Sequence, residues 1–151
     1  MERDLFSWAN QHLVSAEYLL GSIYPTTADQ KIYLRVLAHL YEAIANTATA
    51  ILVPKLNPVK VASWNQEQLL CEFMHSAPSC GLEEYVPLIE TIQSIHKLHK
   101  SSPVEFSRHQ SYVICTKEYQ MTILSENLVW GFVTQTKNLV HTAAASLCYN
   151  E

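Results

Sequence analysis

Two basic–histidine pairs at helical spacing are the clearest chemical signals in this chain. Arg35 and His39 stand four residues apart in one expected helix, and Lys137 and His141 stand four apart in another. Residues at i and i+4 share a helix face, and a cation beside an imidazole can hold a phosphate and move a proton. With Tyr41 and Glu42 close by, the first pair reads as a phosphate- or carboxylate-binding site inside a bundle. The plainer alternative is a polar patch in which Arg35, His39 and Glu42 satisfy one another. The second pair reads as an RNA-cleaving couple or as a solvent-facing cation that favours the helix dipole. The most basic stretch is His96-Lys97-Leu98-His99-Lys100, followed by Arg108-His109. Lys97, Lys100 and Arg108 are candidates for an anion or RNA contact there, against the ordinary role of cations in a last helical turn.

Cys71, His75 and Cys80 raise the question of zinc, with His96 and His99 as further ligands. A structural site needs four ligands at regular spacing, and no CxxC or HxxxH completes the set. No metal or other cofactor is expected, and the cysteines read as small core residues. The chain has no Gly-rich phosphate loop, no GxSxG, and no paired carboxylates on one helical face; Glu83 and Glu84 are adjacent and point apart.

With 151 residues the chain suits one domain, residues 1–151. Ten Lys and Arg against fourteen Asp and Glu give a net charge of −4, which argues against charge-driven RNA binding though not against a small basic site. Charged residues make up only 16% of the chain, and a surface so poor in charge favours self-association. Met1-Glu2-Arg3-Asp4 lacks the layout of a signal peptide, so reduced thiols in a cytoplasm are expected. No window of about 18 uninterrupted apolar residues exists, so no membrane span is expected.

The elements that must position these groups are helices. Ala28–Leu52 holds only Asp29, Lys31, Arg35 and Glu42 as charged residues, and Ser125–Tyr149 only Glu126 and Lys137. Helices so apolar lie at the centre of a bundle or across a subunit interface. A first helix runs from about Asp4 to Leu20, with Gly21 as its stop and Pro25 barring continuation. Thr27 opens the second; Pro54–Ser63 reads as an extended loop; short and long helices follow near residues 65–75 and 82–100. The inner stripe of the last helix is Leu128, Phe132, Thr136, Leu139, Val140, Ala143 and Leu147. Ser111–Thr116 is β-prone, but one strand cannot stand alone and only three glycines are available for turns, so residues 105–124 read as a crossover or frayed helix. The fold class expected is all-α, an antiparallel bundle of about five helices.

Trp8-Ala-Asn-Gln-His-Leu-Val-Ser-Ala-Glu-Tyr-Leu-Leu20 and Leu34-Arg-Val-Leu-Ala-His-Leu-Tyr-Glu-Ala-Ile44 together resemble the opening helix pair of HEPN-type bundles. The resemblance extends more loosely to the last helix. It implies an up-and-down helical bundle, often dimeric, and in active members metal-independent RNA cleavage by an Arg followed four to six residues later by a His. Here Lys137–His141 has Lys for Arg with three residues between, and Lys lacks the bidentate fork. Arg35–His39 has the same short spacing and sits on the other helix. The implied function is a non-catalytic binding or scaffold module acting as a homodimer or with a protein partner. The alternative is a metal-independent ribonuclease using one of the two pairs.

Overall fold

Leu5, Ala9, Leu13, Ala16 and Leu20 fall on one helical face and are all buried, and this stripe seats the first helix on the rest of the chain. The computed structural model describes residues 2–149, with side chains from 4 to 147. Helix α1 (Glu2–Tyr18) does not stop at Gly21. It widens into a π turn, Leu19–Ile23, and closes with a short helix α2 (Tyr24–Thr27) that carries Pro25 in its first turn. The proline ring would collide with the carbonyl four residues back in a regular helix, and the wider turn ahead of it relieves the clash. The chain reverses at Ala28, which takes a left-handed conformation (φ 52°) and donates its N–H to the Tyr24 carbonyl at 2.7 Å.

Helix α3 (Ile32–Leu52) is the central rod. It starts later than Thr27, because Asp29 Oδ1 accepts the Lys31 N–H in a turn that comes first. It is buried on several sides and packs on α1, on α5 (Gln66–Ser76), on α6 (Val86–Ser101) and on α7 (Glu126–Tyr149). The presumed loop after it contains α4 (Pro58–Ala62), with Asn57 capping the Val59 N–H at 2.9 Å. Asn65 and Gln68 form a reciprocal capping box that starts α5. Ser125 caps α7 through its Oγ, which accepts the Leu128 N–H at 3.2 Å.

Ring contact between Tyr24 and Tyr33, and further along between His12 and His39, makes α1 and α3 an antiparallel hairpin. The Trp130 ring lies over Gly21 and Lys137 bonds Glu17, so α7 also runs against α1 and therefore in the same sense as α3. The two charge-poor rods thus lie side by side but parallel, as members of one continuous core that extends from Ala9 to Ala143.

The protein is mainly helical but not all-α. Residues expected to cross over or fray form a three-stranded antiparallel sheet, β1 (Val104–Arg108), β2 (Ser111–Cys115) and β3 (Met121–Leu124), in the order β1-β2-β3. Glycine scarcity did not prevent it. His109 (φ 56°) takes the first central place of a two-residue hairpin, and Tyr119 (φ 62°) the left-handed place in the second turn. Histidine is among the residues that enter this region more readily than most.

Candidate functional site

Arg35 and His39 lie on the outer side of α3, where the α1–α3 hairpin leaves an open cleft of about 330 Å³ lined also by Ser15, Tyr18, Leu19 and Ile23. Arg35 is exposed and His39 half-buried. Antiparallel packing brings His12 of α1 across, and the two Nδ1 atoms stand 2.9 Å apart, so one imidazole donates to the other. Burial, then the charges of His12 and Arg35, holds His39 below the usual histidine range; Glu42 pulls the other way. A guanidinium beside two imidazoles that share one proton can bind an anion and pass a proton. The sequence reading found Arg35 and His39 but not His12. His12 follows Ala9 by three residues and precedes Ala16 by four, which puts it beside the buried face of α1.

Glu42 is not part of this patch's mutual satisfaction; its Oε1 accepts from Gln66 Nε2 at 3.0 Å. Tyr41, on the next face of α3, stacks on His96 at 4.2 Å between centroids and 12° between planes. Burial is the main reason that His96 is held low, helped by Lys100 and His99 and opposed by Glu42.

Lys137 and His141 do not form a comparable site. Lys137 Nζ donates to Glu17 Oε1 at 3.2 Å across the α1–α7 seam, and His141 is exposed. The basic stretch is likewise dispersed. Lys97 pairs with Glu67 at 2.7 Å, His99 with Glu105 at 2.6 Å, and Lys100 in the last turn of α6 is exposed. Arg108 stands at the far end of β1, roughly 13 Å along the strand from its start.

None of the three described cysteines is fully buried, although Cys80 packs against the edge of the core. Cys71 is exposed, Cys80 and Cys115 are partly so, and the side chain of Cys148 lies outside the described residues. Among the described residues no group of three metal-ligating side chains converges, and no helix is long and apolar enough to cross a membrane.

The sheet supplies a feature that the sequence reading missed. Cross-strand partners share a face, and the register puts Phe106, Val113 and Ile123 in one row and Val104, Cys115 and Met121 in the next. These six residues form the outer face. Val104, Phe106, Met121 and Ile123 are 51%, 38%, 56% and 53% exposed. Val113 is buried but stands apart from the main core, flanked by Phe106 and Ile123. A cleft of about 620 Å³ opens between α6, β3 and α7 and is mostly apolar; Leu128, expected inside, is among its lining residues and 41% exposed.

No protein-family model, curated protein or solved structure matches the chain.

Proposed function

We propose that this chain is a HEPN-like, non-catalytic binding module that works as a homodimer, paired through the outer face of its sheet. The observation that supports this is the bare apolar face itself, since contiguous exposed apolar surface of this kind marks an interaction site. A second copy suits it because the face is complementary to itself. Arg108 ends it at one hairpin and Glu118 follows it at the opposite one. A twofold axis lying between two such faces, across the strands, sets each Arg108 against Glu118 of the partner subunit. Strands of five, five and four residues cover roughly 220 Å², well below a standard interface, so the dimer is weak. A low overall charge of −4 offers little repulsion against it.

Sedimentation equilibrium over a hundredfold range of concentration tests the proposal. A monomer–dimer equilibrium that Ile123→Lys abolishes is expected. A monomer throughout, or a dimer indifferent to that substitution, overturns it.

One observation favours the second reading, a metal-independent ribonuclease. The cleft at Arg35 holds two touching imidazoles, His12 and His39, rather than one. Incubation with mixed RNA in EDTA separates the two readings. Cleavage lost in both His12→Ala and His39→Ala supports the enzyme, whereas intact RNA supports the module.

A further inference from the structure

Lys55 and Cys80 stand far apart in sequence and touch in space. Lys55 follows α3 in a tight turn, where the Lys55 and Leu56 N–H groups both donate to the Leu52 carbonyl. Cys80 ends the 3-10 turn Ala77–Cys80. That turn is held firmly: Ala77, which opens it, and Leu82 after it are fully buried, Leu82 N donates to the Ala77 carbonyl at 2.9 Å, and Gly81 takes the left-handed conformation (φ 74°) that lets the chain leave. Cys80 is therefore rigidly placed yet partly open to solvent.

Lys55 Nζ lies 2.7 Å from Cys80 Sγ. Lys55 is exposed and, among the described residues, makes no ion pair with a carboxylate. No second cysteine among the described residues is bonded to Cys80. The nearest nucleophile to the sulfur is thus an amine and not a thiol.

We propose that Lys55 and Cys80 form a peroxide-driven covalent switch, a sulfenamide that staples the end of α3 to the turn between α5 and α6. In the first step the Cys80 thiolate attacks hydrogen peroxide. The O–O bond breaks, an S–O bond forms, and the departing hydroxide takes back, through solvent, the proton that the thiol gave up and leaves as water, so that sulfur is oxidised and peroxide reduced. In the second step the lone pair of the neutral Lys55 amine attacks the sulfenic sulfur. An N–S bond forms, the S–O bond breaks, and the departing hydroxide takes a proton from nitrogen as a second water. In sum, thiol, amine and one peroxide give N–S and two waters. Sulfenic acids condense with a backbone nitrogen as well as with thiols, and here a side-chain amine is already in place. A thiol reductant reverses the link.

Mass spectrometry of the whole chain treated with hydrogen peroxide, then digested without reductant, tests this. The expected product is about 2 Da lighter than the reduced chain, with the Lys55 and Cys80 peptides joined and released by dithiothreitol. Lys55→Arg keeps the charge but cannot form the link, and should stop at a sulfenic acid at Cys80, about 16 Da heavier and trapped by dimedone. Thermal unfolding of the oxidised wild type should rise by about 5 °C relative to the reduced form, with no such rise in the variant. Equal oxidation of Cys80 in both proteins with Lys55 unmodified overturns the switch. A linked species about 14 Da heavier overturns the direct N–S bond, since it carries oxygen between the two atoms.

Discussion

The two faces of the small sheet are built from the same strands and from similar residues, yet they have opposite fates. On the inner face Tyr112, Ile114 and Leu124 are buried against the helical layer and belong to the main core. On the outer face Phe106, Ile123, Val104 and Met121 remain in water. Alternation along a strand decides which residues travel together, but only a neighbouring layer decides which set is sealed. The difference separates stability from association. Inner residues hold the fold whatever the concentration, whereas outer residues matter once a second surface arrives.

The sharpest way to break this comparison is a matched pair of substitutions. Ile114→Ala empties a fully buried position and should cost about 2–5 kcal/mol in urea unfolding. Ile123→Lys, one strand away on the other face, should leave the monomer's stability within about 0.5 kcal/mol while weakening self-association at least tenfold. If Ile123→Lys destabilised the monomer as much as Ile114→Ala, the outer face would be part of the core and the proposed dimer would lose its surface.

A smaller effect tests how the inner face is fastened. Tyr33 is fully buried in α3, and its hydroxyl donates to the Gln110 carbonyl at 3.1 Å, which pins the β1–β2 hairpin to the bundle. Burial, reinforced by Tyr24, pushes its ionisation well above the usual tyrosine range, so it stays a donor at every relevant pH. Tyr33→Phe keeps the ring and removes the bond, and should cost about 1 kcal/mol. Amide exchange should quicken in β1 and β2 and remain unchanged in α7.

The helical half of this molecule was legible because its apolar positions recur at three- and four-residue steps and its caps are local. Asn65 with Gln68, and Ser125 with Leu128, need no tertiary partner. The sheet was not legible, because its turns use His109 and Tyr119 where glycine is the usual signal, and because each strand is stable only beside the others. The π turn was hidden for a related reason. Gly21 and Pro25 are ordinary stop signals, and only the packing of Leu19, Leu20 and Tyr24 into the core carries the helix past them. Half of the candidate site followed from spacing alone. The i, i+4 rule placed Arg35 and His39 together but could not say that α1 would bring His12 to meet them, nor that Lys137 would turn to Glu17 instead.

The gentlest effect concerns pH, and it acts on the helical layer that closes the inner face. His39 and His96 are both held below their ordinary range, chiefly by burial and then by neighbouring positive groups. Protonating them is harder in the fold than in the unfolded chain, which takes up protons as pH falls below about 6.5. Between that point and their lowered folded values the unfolded state binds more protons, so stability is fully present above about pH 6.5 and declines as the pH drops. Melting temperatures at pH 7.5, 6.5 and 5.5 should therefore step down by a few degrees in total. His96→Phe retains a ring against Tyr41 but has nothing to titrate, and should flatten part of the slope; His39 keeps the remainder. A slope unchanged in His96→Phe would move the acid sensitivity to the α1–α3 cleft. The inner face would then be closed by a layer that pH loosens at only one of its two histidine sites.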